Sequence, residues 1–169
     1  MANRIGVIGA GVMGEALIAA LIRSGASASD ISFAEKRDER AAELEARYSI
    51  KHLSIELLAA QSDVILLVVK PQDMALTLNQ ISAQLNPEAL VISFAAGKTI
   101  ASIAAGLTHS HAIVRVMPNT PALIGLGASG FSYGEHVKEV HKKFVSEFLA
   151  ATGRAIEVPE SLQDAVTAT

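Results

Sequence analysis

The chain has 169 residues, half of them apolar, with 4% aromatic residues, no tryptophan, no cysteine and a formal net charge of −3. That length supports one full core and little beyond it. The lack of cysteine excludes disulfides and thiolate chemistry and suits a reducing cytoplasm, and an acidic balance with no repeating basic patch speaks against nucleic acid as a partner. The longest β-type run, residues 64–69, is too short to span a bilayer, so no membrane partner is expected. A secretory signal near Arg4 is opposed by four glycines by Gly14 and the charge at Glu15.

In chain order, RIGVI (4–8) is a short apolar run entering a glycine turn and predicts a first strand. Met13, Leu17, Ile18, Leu21 and Ile22 repeat at helical spacing before Gly25 and predict a helix over 11–23. ISFA (31–34) reads as a second strand. Residues 38–48 read as a charged helix with Ala41, Leu44 and Tyr48 on one face, and 54–60 as a short helix capped by Ser54. VILLVV (64–69) is too uniformly apolar to be half exposed and predicts a central parallel strand. A helix through Met74, Leu78, Ile81 and Leu85 stops at Asn86-Pro87, followed by a strand at 90–94, a helix at 99–107 and a strand at 112–117. Residues 128–133 predict a further strand, and 137–151 a helix with Val137, Val140, Phe144 and Phe148 inward. Residues 155–158 predict a last strand, and from Pro159 the chain opens like a helix. Strand and helix alternate throughout, which predicts an α/β fold with a doubly wound, mostly parallel sheet over 1–158.

Three glycines punctuate the first strand–helix junction, Ile8-Gly9-Ala10-Gly11-Val12-Met13-Gly14. Gly9 permits a tight turn, Gly11 lets backbone approach a pyrophosphate, and Gly14 lets the helix pack on the strand. The helix N-terminus adds free N–H groups and a partial positive charge for phosphates. Dinucleotide binding is the reading that explains three glycines at these offsets. At the end of the second strand, Glu35 stands where an acid would bind a ribose 2′-OH, while Lys36 and Arg37 could grip a 2′-phosphate. A solvated helix start is the weaker alternative for the trio; of the two coenzymes NADP(H) is slightly favoured and NAD(H) stays open.

Further loops should ring the same crevice, because parallel strands present their C-terminal ends together. Lys70 reads as a phosphate contact or as a charge at a helix start, and Pro71 as a first helical residue. Ala95-Ala96-Gly97 lets a flat ring approach the backbone, though a left-handed turn at Gly97 explains it nearly as well. In VRVMPNTP, Pro118 and Pro121 push Met117 and Thr120 to extended backbone and hold Asn119 in a stiff polar loop. Asn119 and Thr120 could orient a carboxamide or a carboxylate, unless Asn119 merely closes an Asx turn. Scattered histidines without cysteine give no metal site. Ser129 lies in GASG rather than GxSxG, so no nucleophile is supported, and no catalytic acid or base stands out.

IGVIGAGVMG, SDVILLVVKPQ, ISFAAGKTI and VRVMPNTPALIGLGASG, in this order and spacing, resemble the dinucleotide-binding domain of the pyrroline-5-carboxylate reductase family. The closing DAVT resembles the start of that family's second, helical domain; the SGSGPAY motif that follows it there does not occur in this sequence. The resemblance implies a Rossmann fold with residues 8–14 on NAD(P)H and hydride transfer to the C=N carbon of 1-pyrroline-5-carboxylate, giving L-proline. It also implies that Val68, Val69, Lys70 and Pro71, with Phe94, Ala95, Ala96 and Gly97, line the coenzyme, and that Met117, Pro118, Asn119 and Thr120 face its nicotinamide. Residues 159–169 would lead into a missing domain that holds the substrate carboxylate and makes a homo-oligomer, leaving this chain poorly active alone. Two departures stand out: many relatives carry a Ser- or Asn-containing turn where Glu35-Lys36-Arg37 stands, and an asparagine where Ser54 stands. Rival readings are a β-hydroxyacid dehydrogenase, a deazaflavin-dependent NADP reductase, and a non-catalytic nucleotide sensor.

Overall fold

A computed structural model describes residues 3–119, 121 and 126–166. Its strands are β1 (Ile5–Ile8), β2 (Ile31–Ala34), β3 (Lys51–His52), β4 (Val64–Leu67), β5 (Leu90–Ser93), β6 (Ala112–Pro118), β7 (Gly127–Tyr133) and β8 (Gly153–Glu157). Its helices are α1 (Val12–Arg23), α2 (Asp38–Tyr48), α3 (Ile55–Gln61), α4 (Met74–Ser82), α5 (Ile100–Ala105), α6 (Glu139–Ala150) and α7 (Gln163–Val166). The strands form one sheet in the order β3-β2-β1-β4-β5-β6-β7-β8. Every pairing is parallel except that of β6 with β7.

Two apolar layers sandwich this sheet, and alternate residues of each strand serve them in turn. Val7, Leu66, Ile92, Val114 and Val116 meet Leu17, Leu21, Leu44 and Phe148 of α1, α2 and α6 on one face. Ile8, Ile65, Leu67, Val91 and Ile113 meet Leu58, Met74, Leu78, Ile81 and Ile103 of α3, α4 and α5 on the other. Burial on both faces is why β4 reads as an unbroken apolar run and β5 as one interrupted only by Ser93. Ser54 caps α3 as expected, its Oγ accepting from Leu57 N at 3.3 Å.

The structure departs from the sequence reading in four places. Strand and helix do not alternate between β6 and β7: residues 119–126 are too few for a crossover, so β7 returns antiparallel. β3 is a polar two-residue strand with no apolar pattern to announce it. β4 ends at Leu67, two residues early, where the chain bends into Lys70-Pro71. Val140 is 66% exposed; Val145, Phe148 and Leu149 form the inward stripe of α6. Five residues advance a helix by about 500°, which turns Val140 about 140° from Val145. Among the described residues no helix is long and apolar enough to cross a membrane.

Candidate functional site

β1, β2, β4, β5 and β6 run parallel, so their C-terminal ends share one edge of the sheet. From β1 the chain passes to α1 on one face, and from β4 to α4 on the other. A crevice therefore opens between these neighbouring strands where the winding reverses. Hydrogen bonds fix its floor: Val68 N–H donates to Ile8 O at 2.9 Å, Gly9 N–H to Ala34 O at 3.1 Å, and Phe94 N–H to Leu67 O at 3.0 Å.

The three glycines of the first turn do three different jobs. Gly9 has φ +93°, and a Cβ there would lie 2.5 Å from Val68 O. A Cβ on Gly14 would lie 2.1 Å from Gly9 O, so the helix could not seat against its own turn. Gly11 is different, because a Cβ there would meet nothing within 4 Å. Gly11 is also the N-cap of α1 and supplies no side-chain cap. The approach to the N-terminus of α1 is therefore open at Gly11, with uncapped N–H groups and the positive end of the helix behind it, a fit for a diphosphate. Ala10 is buried, Met13 half-buried and Val12 73% exposed at the lip.

Charges crowd the β2 end of the crevice. The Glu35 side chain is 8% exposed. It accepts from Arg37 Nε at 3.1 Å, Arg37 N–H at 3.1 Å and Arg37 Nη2 at 3.3 Å. Burial pushes the Glu35 carboxyl up, but the Arg37 side chain and backbone N–H outweigh it and hold it below the ordinary range. Both Glu35 oxygens are therefore occupied, and Lys36 and Arg37 are the exposed members of the trio. His52 Nε2 lies 3.0 Å from Glu35 O.

Behind this trio stands a network that the sequence reading missed. Arg40 Nε donates to Ala10 O at 3.3 Å, inside the glycine turn. Arg40 and Arg47 both pair with Glu15 of α1 and with Glu43, and Tyr48 O–H donates to Glu15 at 3.0 Å. Only the spacing of Arg40, Glu43 and Arg47 along α2 was visible beforehand.

The β5–β6 end carries no charge on Val68, Val69, Phe94, Ala95, Ala96, Gly97, Met117, Pro118 or Asn119. Phe94, Ala95 and Met117 are buried and Pro118 half-buried. Gly97 has φ +68°, so the left-handed turn is real. Asn119 is exposed; its N–H donates to Ala128 O at 3.0 Å and its Oδ1 accepts from Ala128 N–H at 2.9 Å. It therefore clasps Ala128 across the β6–β7 connection rather than closing an Asx turn, and its Nδ2 makes no hydrogen bond among the described residues. Thr120 lies outside the described residues. Lys70 is exposed and precedes the 3-10 turn Pro71–Asp73, with Pro71 as its first residue. Among the described residues no group of three metal-binding side chains gathers. A groove of about 820 Å³ lies elsewhere, between α5 and residues 157–160.

Fold, switch point and glycine turn define a dinucleotide-binding domain of the Rossmann type. Residues 4–97 match the family described as NADP oxidoreductase, coenzyme F420-dependent, and the chain belongs to it. Likeness to pyrroline-5-carboxylate reductases runs further. The chain is 38% identical over 168 residues to the enzyme of Corynebacterium melassecola, a match covering 97% of this chain and 62% of that protein. The solved structure of the Plasmodium falciparum pyrroline carboxylate reductase with NADP bound superposes with a TM-score of 0.87 at 27% identity, covering 98% of this chain and 61% of that one. The Coxiella burnetii pyrroline-5-carboxylate reductase gives 0.90 at 26% identity, covering 97% and 62%. The chain thus spans 61–62% of the length of these relatives.

Proposed function

We propose that this chain is the coenzyme-binding domain of a pyrroline-5-carboxylate reductase, an NAD(P)H-dependent oxidoreductase of L-proline biosynthesis. The observation that carries the reading is where the likeness continues. The family match ends at Gly97 and is common ground for many reductases. The 168-residue match, 38% identical overall, continues through β6 and beyond it, and the C-terminal end of β6 lies at the same sheet edge as the glycine turn. A 3-hydroxyisobutyrate dehydrogenase shares the fold over 98% of this chain but at 16% identity, so sequence identity rather than fold favours the imine reductase over a hydroxyacid enzyme.

On this reading, Gly9 to Gly14 hold the diphosphate on the bare N-terminus of α1, and Val12 covers it. Lys36 and Arg37 receive the adenosine ribose, with NADP(H) slightly favoured because Arg37 already neutralises Glu35. Val68, Val69, Lys70 and Pro71 line one side, and Phe94, Ala95, Ala96 and Gly97 the other. Met117, Pro118 and Asn119 form the wall at the reacting ring, Thr120 is assigned beside them from its motif, and the Asn119 Nδ2 donors orient the carboxamide or the substrate. Held there, a reduced nicotinamide would supply the hydride that the C=N carbon of 1-pyrroline-5-carboxylate accepts. The chain's own contribution is position and dryness: Phe94, Ala95 and Met117 exclude water and leave short approaches to backbone. No side-chain acid or base is needed for an imine protonated in solution.

Residues 1–158 then form the coenzyme domain, and 159–169 begin the passage to a helical domain that holds the substrate carboxylate and pairs subunits into a homo-oligomer in the cytoplasm. The test is a fluorescence titration of the chain with NADPH and NADH, beside assays with 1-pyrroline-5-carboxylate, a β-hydroxyacid and a deazaflavin. Coenzyme binding, slow imine reduction by the isolated domain and rapid reduction by the longer polypeptide support the reading. Turnover of a hydroxyacid or deazaflavin in place of the imine overturns it.

A further inference from the structure

The apolar strand β6 contains one cation, Arg115, and it is 2% exposed. A guanidinium is buried at a penalty that only partners can offset. Its partners come from a single later segment: Nη2 donates to Asp164 Oδ1 at 2.9 Å and Nη1 lies 3.5 Å from Glu160 Oε1. Nε has no hydrogen-bond partner among the described residues. Gln163, fully buried, donates from Nε2 to Ser132 Oγ at 2.9 Å and to Arg115 O at 3.4 Å. Ser132 Oγ in turn donates to Val158 O at 2.6 Å.

The same segment also grips α5. Glu160 Oε1 accepts the N–H of Ile100, the first residue of α5, at 2.7 Å. Ile100 stands three residues past the left-handed Gly97, and Arg115 two residues before Met117. Glu160 and Asp164 are thereby tied to residues that flank both turns of the uncharged end of the crevice, and among the described residues neither pairs with Arg37 or the glycine turn.

We infer that Arg115 is a positioning residue: with Glu160, Gln163 and Asp164 it sets the direction in which the chain leaves this domain relative to the coenzyme's reacting ring. The inference rests on the function proposed above, since it assumes a substrate-holding domain beyond this segment. A carboxylate pair on one buried guanidinium fixes both distance and angle, because the planar fork accepts two acids in one plane. The following domain would then take its reference from the nicotinamide wall and not from the adenosine end.

Two measurements test this. In the chain itself, Arg115→Met should raise amide exchange over residues 160–166 by about tenfold or more while NADPH affinity stays within about twofold. Glu160→Gln, at a half-buried carboxylate, and Asp164→Asn, at an exposed one, should each do so to a smaller degree and serve should Arg115→Met fold poorly. In the longer polypeptide, Arg115→Met should lower kcat/KM for the imine by as much as about 10²-fold with the KM for coenzyme nearly unchanged. Arg115→Lys should restore part of the loss. Unchanged exchange in all three variants, or a coenzyme KM that worsens in step with the imine, would overturn the inference. If the unsubstituted polypeptide does not reduce the imine, the proposed function fails, and the exchange result alone decides whether the latch exists.

Discussion

The two ends of the crevice are built on opposite principles. At the β2 end, charges crowd together and are nearly all spent on one another: Glu35 on Arg37, and Glu15 and Glu43 on Arg40 and Arg47. At the β5–β6 end the wall is uncharged and held by backbone clasps such as Asn119 with Ala128. Under the proposed function, the difference separates an end that discriminates from an end that reacts. Ion pairs can be re-partnered by a ligand phosphate, so under the proposed function the charged end would select among coenzymes. A wall that must hold two reacting carbons in register has no use for charges that draw water.

The glycine turn between these ends is where the comparison breaks most severely. Gly9→Val or Gly14→Val drives a side chain into backbone and should destabilise the chain by about 3 kcal/mol, or prevent folding; urea denaturation reads this directly. Next comes the charged end. Arg37→Ala should weaken NADPH about tenfold and leave NADH within about twofold. Equal losses for both would show that Arg37 does not read the 2′-phosphate. The uncharged end should answer differently, with Asn119→Ala costing about 1 kcal/mol of stability through the lost clasp and sparing the NADPH-over-NADH ratio.

The smallest effect is pH-dependent. Burial pushes the Glu15 carboxyl up, but hydrogen bonds from Arg40, Arg47 and Tyr48 hold it below its ordinary value. As pH falls the unfolded chain takes this proton first, so the contribution is full above about pH 4.3 and is lost as pH falls through the lower folded value. Glu15→Gln should therefore cost up to about 1 kcal/mol at pH 7 and flatten the acid limb of a Tm-against-pH curve. An unaltered limb would mean that the α1–α2 network contributes nothing to stability.

What the sequence made legible follows the range of each constraint. Gly9 and Gly14 were readable because their need is local, a turn and a close approach within six residues. β4 and β5 were readable because burial on both faces leaves them almost wholly apolar, Ser93 being the one polar residue. The antiparallel return of β7 was not, since it depends on the length of a connection rather than on any residue. Nor was Glu15 with Arg40, a pair 25 residues apart on two helices. Arg115 was hidden for a related reason: in VRVM it looks like an interruption at a strand end, and its carboxylates arrive 45 and 49 residues later.

Gly11 tests the central claim most directly, because it alone among the three glycines has room. A Cβ there touches nothing in the protein, so Gly11→Ala should fold with nearly unchanged stability. It should nevertheless lose about 10- to 100-fold in affinity for NADPH and NADH alike, as backbone contacts to the diphosphate lengthen. Full coenzyme affinity in Gly11→Ala would contradict a diphosphate seated on the first turn of α1.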